Sequence, residues 1–231
     1  MSNGRKILFV VSFIIIDLLL IGSIFIIRDY TGKRILKNEV NALVELDFSK
    51  DNYNTEIKSS GEYATLEKAI KKYLDDYATE VQYVLMVRYD EELNSILDID
   101  NIINDGPMFN DSIEYLDLLQ NNFNYSVDLL MDRVTSEEIN KYIYNYDVND
   151  KEIKLYNNLL LESNLISKIE DNQMSLTRRR IEINGYIDSI KSVLVFLKNN
   201  NYTINNDEVI MNDPNMQEEY YKLISKVKES M

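Results

Sequence analysis

The chain has 231 residues and a formal net charge of −14, with 39 acidic against 25 basic side chains. It contains no His, Cys or Trp, so the commonest general base, the commonest transition-metal ligand and all thiol and disulfide chemistry are missing. A strongly acidic body repels phosphate backbones, which excludes nucleic acid as a partner.

Residues 1–6 are a short basic tail carrying Arg5 and Lys6. Ile7 to Ile27 follows as a run of 21 residues, apolar except for Ser12, Asp17, Gly22 and Ser23. At about 1.5 Å per residue this length matches a hydrocarbon core of roughly 30 Å, so the run predicts one membrane-spanning helix. It is longer than the apolar core of a signal peptide and has no small-residue cleavage site before Arg28, which favours an uncleaved anchor. Asp17 lies near mid-span. An ionisable group there costs about 2.5–3.5 kcal/mol on insertion scales and marks a candidate contact with a partner membrane helix. Arg28, Lys33, Arg34 and Lys37 after the span outnumber Arg5 and Lys6 before it. Counting alone would put the body inside. A very short basic tail, however, rarely crosses, and long domains translocate regardless of charge. The expected topology is therefore a cytoplasmic N-terminus with the bulk of the chain outside.

Residues 28–60 read as a juxtamembrane helix and tether. Leu36, Val40, Leu43 and Val44 have helical spacing, with Gly32 as a weak point, and Phe48 to Gly61 is polar and turn-rich. Ser59 and Glu62 have capping-box spacing. From there Tyr63, Leu66, Ile70, Tyr73, Tyr77, Val81 and Val84 form an amphipathic stripe that predicts a helix reaching toward Leu97. Asp98 to Asn110, with Asp105-Gly106-Pro107, is a break. Its Asp98, Asp100, Asn101, Asn104 and Asp105 do not follow the EF-hand order, so they read as a helix-linking turn.

A third helix is predicted from Asp111, with Ile113, Leu116, Phe123, Val127, Leu130 and Val134 in register and polar Gln120 among them. Thr135 to Glu138 is a capping box opening a short helix to about Tyr144. A long helix is expected to start at Asn149 or Asp150 and to run to Lys198. In its second part Ile166, Ile169, Gln173, Leu176, Arg180, Ile183, Ile187, Ile190, Leu194 and Leu197 alternate steps of three and four, the strongest periodic signal in the chain. Ile187 should be buried on this seam, and Lys191, off it, should tolerate truncation. Tyr202–Ile204 and Val209–Met211 are brief extended pieces at most. Asp213-Pro214 is a helix start, opening a last helix to about Glu229.

Gln173 and Arg180 are polar residues on an apolar seam, and Arg178 and Arg179 flank them in an otherwise acidic chain. Together with Asp17 these four are the candidate interaction residues, either meeting an acidic partner or pairing with carboxylates of neighbouring helices. Gly185, in the same helix, would suit a close crossing or a bend. Tyr73, Tyr77, Tyr142, Tyr144 and Tyr146 would suit either a binding face or core packing. No phosphate loop, nucleophile elbow, zinc motif or dinucleotide fingerprint is present, so no catalytic residue, metal site or cofactor is assigned.

The expected fold is all-α: a single N-terminal transmembrane helix followed by an antiparallel helical bundle with one long spine helix. Its divisions are 1–6, 7–27, 28–60 and 61–231. The expected function is that of a single-pass, membrane-anchored binding or scaffolding module in the cell membrane. It would meet the bilayer through residues 7–27 and a protein partner through its body. The alternatives are a cytoplasm-facing scaffold of the same build and a carboxylate-dependent extracellular enzyme.

Overall fold

A computed structural model describes Ser23, residues 26–43, Glu45, residues 54–162 and residues 165–230. Of the expected membrane helix only Ser23, Ile26 and Ile27 are included, so the span and Asp17 lie outside the described residues. Among the described residues no helix is long and apolar enough to cross a membrane. The described chain is helical apart from one two-stranded antiparallel hairpin and the links between elements.

The elements are α1 (26–43), α2 (Glu62–Met86), a 3-10 turn (Val87–Tyr89), α3 (Glu91–Ser95), α4 (Ile99–Asp105), α5 (Asn110–Asp132), α6 (Ser136–Tyr144), α7 (Asp150–Glu162), α8 (Leu165–Asn199), β1 (Tyr202–Asn205), β2 (Glu208–Met211) and α9 (Pro214–Ser230). The long helix expected over Asp150–Lys198 is represented by two helices, α7 and α8, with residues 163 and 164 outside the described set. The chain groups into two compact units, and α2 contributes to both, up to Asp75 in the first and from Asp76 in the second.

The first unit takes in α1, residues 54–60, the first half of α2, most of α6, and α7. Its core is the predicted stripes, Leu36, Val40 and Leu43 of α1 with Leu66, Ile70 and Tyr73 of α2, joined by Leu74, all buried. Gly32 is not a weak point. A Cβ there would lie 2.5 Å from Cδ2 of Tyr63, so the bare glycine backbone is what lets that ring lie against α1. The Tyr63 hydroxyl donates to Asp29 at 2.5 Å. The expected Ser59–Glu62 capping box gives way to a different start. Gly61, at φ +62, supplies the carbonyl that accepts from Ala64, while the Ser59 N–H turns to Glu67. Of the tyrosines singled out, Tyr73 is fully buried and meets Tyr142 edge-to-face at 5.4 Å, whereas Tyr144 is 62% exposed; Tyr156, outside that set, donates to the Ile139 carbonyl at 2.8 Å. At the start of α7, Asn149 and Glu152 form a reciprocal capping box.

The second unit holds the rest of α2, α3 to α5, nearly all of α8, the hairpin and α9. The α8 seam is buried at Ile169, Leu176, Ile183, Ile187, Ile190, Leu194 and Leu197, beside Leu116, Phe123, Val127 and Leu130 of α5. The stripe expected to reach Leu97 is cut at Asp90, whose carboxylate accepts from the Leu93 N–H and the Tyr115 hydroxyl and so starts α3. The expected break at Asp98–Asn110 contains α4. Asp105 at its end caps α5 by accepting from the N–H groups of Asp111 and Ser112 at 3.2 and 2.8 Å. The two extended pieces do pair, Tyr202 with Met211 through Asn205 with Glu208. The two-residue loop Asn206-Asp207 has both φ positive, the conformation that matches the strand twist. Asp213 starts α9 as expected, its carboxylate accepting from the Asn215 N–H at 2.7 Å.

Gly185 meets nothing within 4 Å of an added Cβ, so it marks no close crossing. Gly185→Ala is therefore expected to stabilise the protein by up to ~1 kcal/mol, raising the melting temperature by about 2–4 °C. A thermal melt that falls instead would mean the site is more crowded than an open helix surface.

Candidate interaction site

Consecutive helical residues are turned by about 100°, so Arg178, Arg179 and Arg180 of α8 face three directions. Arg180 donates to the Asn124 carbonyl at 2.9 Å and pairs with the Asp128 carboxylate. Arg179 donates to the Leu85 carbonyl at 2.9 Å, in the last turn of α2, where a cation complements the free carbonyls. Arg178 points to solvent with 83% of its side chain exposed, and Glu182 stands 3.9 Å away. Gln173 lies on α8, but its side chain is outside the described residues.

Arg180 is one rung of a polar ladder. Asp117, Gln120, Asn124 and Asp128 of α5 meet Lys191, Asp188, Asn184 and Arg180 of α8 in turn. As the α5 number rises by three or four the α8 number falls by the same step, which makes the two helices antiparallel. Asn124 and Asn184 exchange amide hydrogen bonds at 3.2 and 2.9 Å. Gln120 donates to Asp188 at 3.0 Å and accepts from Lys191 at 2.6 Å. Each amide is used in both senses, so one register of the two helices satisfies the whole set. The expectation for Lys191 is corrected here: it lies off the apolar seam but is held by Gln120 and Asp117. Sequence reading picked out Gln120 and Arg180. It missed the other partners, whose signal was a second stripe at steps of three and four beside the apolar one.

What α8 offers outward is Arg178 between Met174 and Ile181, which are 85% and 70% exposed. In the same unit a groove of about 360 Å³ is lined by Thr79, Glu80, Tyr83, Asn122, Tyr125 and Ser126. Burial, then the nearby charges of Glu80 and Asp90, push the Tyr83 hydroxyl above its ordinary range, so it stays a neutral donor at all physiological pH. Tyr83 and Tyr125 were not among the tyrosines singled out in the sequence, of which Tyr73 and Tyr77 are fully buried and Tyr144 is 62% exposed. Among the described residues no group of three or more carboxylates is arranged to hold a metal ion.

The first unit holds a buried charge cluster that sequence reading did not find. Glu67 and Lys71, one helical turn apart, have side chains 1% and 3% exposed and stand 2.7 Å apart. Lys71 also reaches Glu39 of α1 at 3.3 Å and donates to the Glu56 carbonyl at 2.5 Å. Glu67 accepts from the N–H groups of Lys58 and Ser59, and Lys58 closes the circuit on Glu39 at 2.8 Å. Burial pushes the Glu67 carboxyl up. The Lys71 ammonium and the backbone N–H groups of Lys58 and Ser59 outweigh that and hold it below the usual carboxylate range. Four charges that sum to zero thus fasten α1 and residues 56–59 to α2.

Compared with protein-family models, with curated proteins and with solved structures, the chain matches none.

Proposed function

We propose that the protein is a single-pass membrane-anchored helical bundle that acts as a binding or scaffolding module, with α8 as its spine. The observation that carries this is the union of two features. Ile7 to Ile27 has the length and apolarity of a membrane span, and its last two residues, Ile26 and Ile27, already belong to α1. Helix α1 is itself part of the first unit, held by its buried stripe, by Tyr63–Asp29 and by Glu39. An anchor whose last residues lie in α1 brings the first unit to the membrane surface. The binding role rests on the exposed Met174, Arg178 and Ile181 of α8 and on the tyrosine-lined groove, which are surfaces for recognition.

The full chain should stay in carbonate-washed membranes, while a chain beginning at Arg28, which keeps Asp29 for Tyr63, should stay in the supernatant. Full-length protein in the wash would end the anchor reading. We infer that the body lies outside the cytoplasm, because a very short basic tail rarely crosses the bilayer. A C-terminal fusion reporter active only in the cytoplasm should be silent, and signal from it would invert the topology.

A further inference from the structure

Helix α1 engages its carboxylates and leaves basic side chains exposed. Within 26–43 four cations, Arg28, Lys33, Arg34 and Lys37, stand against two carboxylates, Asp29 and Glu39. Both carboxylates are engaged by the unit: Asp29 accepts from Tyr63, and Glu39 is paired with Lys58 and Lys71 with its side chain only 16% exposed. Arg28, Lys33 and Arg34 are exposed, and among the described residues neither Lys33 nor Arg34 has an ion-pair partner. Gly32, Leu36, Val40 and Leu43 mark the buried side. Roughly opposite lie Ile27, Tyr30 and Arg34, with Tyr30 67% exposed, while Ile26 and Lys33 are exposed at the edge of the buried side. The outward face therefore runs from aliphatic, through an aromatic, to basic, in a protein whose net charge is −14.

That order is the polarity profile of a lipid interface: acyl chains, the boundary region that tyrosine prefers, then phosphate headgroups. We propose that the outward face of α1 binds the anionic headgroups of the bilayer that anchors the preceding run, selecting acidic phospholipids around the protein. The proposal rests on the anchor reading and adds the lipid class. The acidic remainder of the chain, taken as a whole, would be repelled by such a surface. Basic residues at a membrane surface act additively and are screened by salt.

The chain has no Trp, so Tyr30→Trp installs a single fluorophore at an exposed position on this face. The full chain carrying it would be reconstituted into equimolar vesicles of phosphatidylcholine and phosphatidylglycerol, with bromine near the headgroup end of one lipid at a time. Quenching should be about two- to fivefold stronger when phosphatidylglycerol carries the bromine. The preference should weaken in 0.5 M salt and disappear in Lys33→Gln/Arg34→Gln. It should reverse in Lys33→Glu/Arg34→Glu, whose helix content, read by circular dichroism, should match the parent. Equal quenching by either lipid in the parent overturns the proposal while leaving the anchor intact. A chain that washes off the vesicles in carbonate overturns both. A preference that survives the charge reversal overturns the assignment to α1.

Discussion

Glu67→Gln should lower the melting temperature of the protein by about 10 °C. The substitution keeps the size of the side chain and removes its charge, leaving the Lys71 ammonium, 3% exposed, with Glu39 at 3.3 Å as its remaining carboxylate. Removing one partner of a buried pair costs about 3 kcal/mol, and a chain of this size loses a few degrees per kcal/mol. The double change Glu67→Leu/Lys71→Leu removes both charges together and should be milder than the single one, because no buried ion is left unpaired. The pH dependence has a definite sign. The Glu67 carboxyl is held below its ordinary value, so its contribution is complete above the unfolded pKa of about 4.3 and is lost as pH falls through the folded one. The gap in melting temperature between parent and Glu67→Gln should therefore be widest at neutral pH and should close in acid. Equal melts at pH 7 would show that the cluster contributes nothing to stability.

Ile187→Asp should be at least as damaging, by about 4 kcal/mol or more. Ile187 is fully buried, and the seam residues Ile183 and Ile190 one turn away on either side are 1% exposed. A carboxylate there has no partner in the seam and replaces a packed aliphatic side chain. Lys191→Ala, one turn on, serves as the contrast. It strands the Gln120 oxygen and Asp117 at the half-exposed edge and should cost only about 1 kcal/mol. Thermal melts of the full chain in detergent would measure both. If Ile187→Asp melts with the parent, α8 is not the spine; if the parent's melting temperature climbs with protein concentration, the seam is shared with a second chain.

The helical class was legible in the sequence because burial of one helix face imposes a period that survives in a single chain. Most stripe positions of α2, α5 and α8 are buried where the spacing put them, with Val81, Ile113 and Val134 half-buried. The helix starts at Thr135, Asn149 and Asp213 follow from side chains that bond to the nearest free backbone N–H groups. The apolar run from Ile7 to Ile27 belongs to the same kind of information, since its length and composition need no partner to be read.

What only the tertiary structure decided are the contacts between residues far apart in the chain. Glu67 and Lys71 stand at i, i+4, a spacing that by itself says nothing of burial, and Glu39, Glu56 and Lys58 close over them. Three adjacent arginines looked like one basic cluster, yet Arg179 and Arg180 are taken up by Leu85 and by Asn124 with Asp128, leaving Arg178 outward. Gly32 and Gly185 were alike as helix glycines, and the ring of Tyr63 beside one and open solvent beside the other separate them. Periodicity reports which face of a helix is covered. It carries no information about what covers it, because the covering residues are set by the register of a neighbour many residues away, and only the folded chain brings the two together.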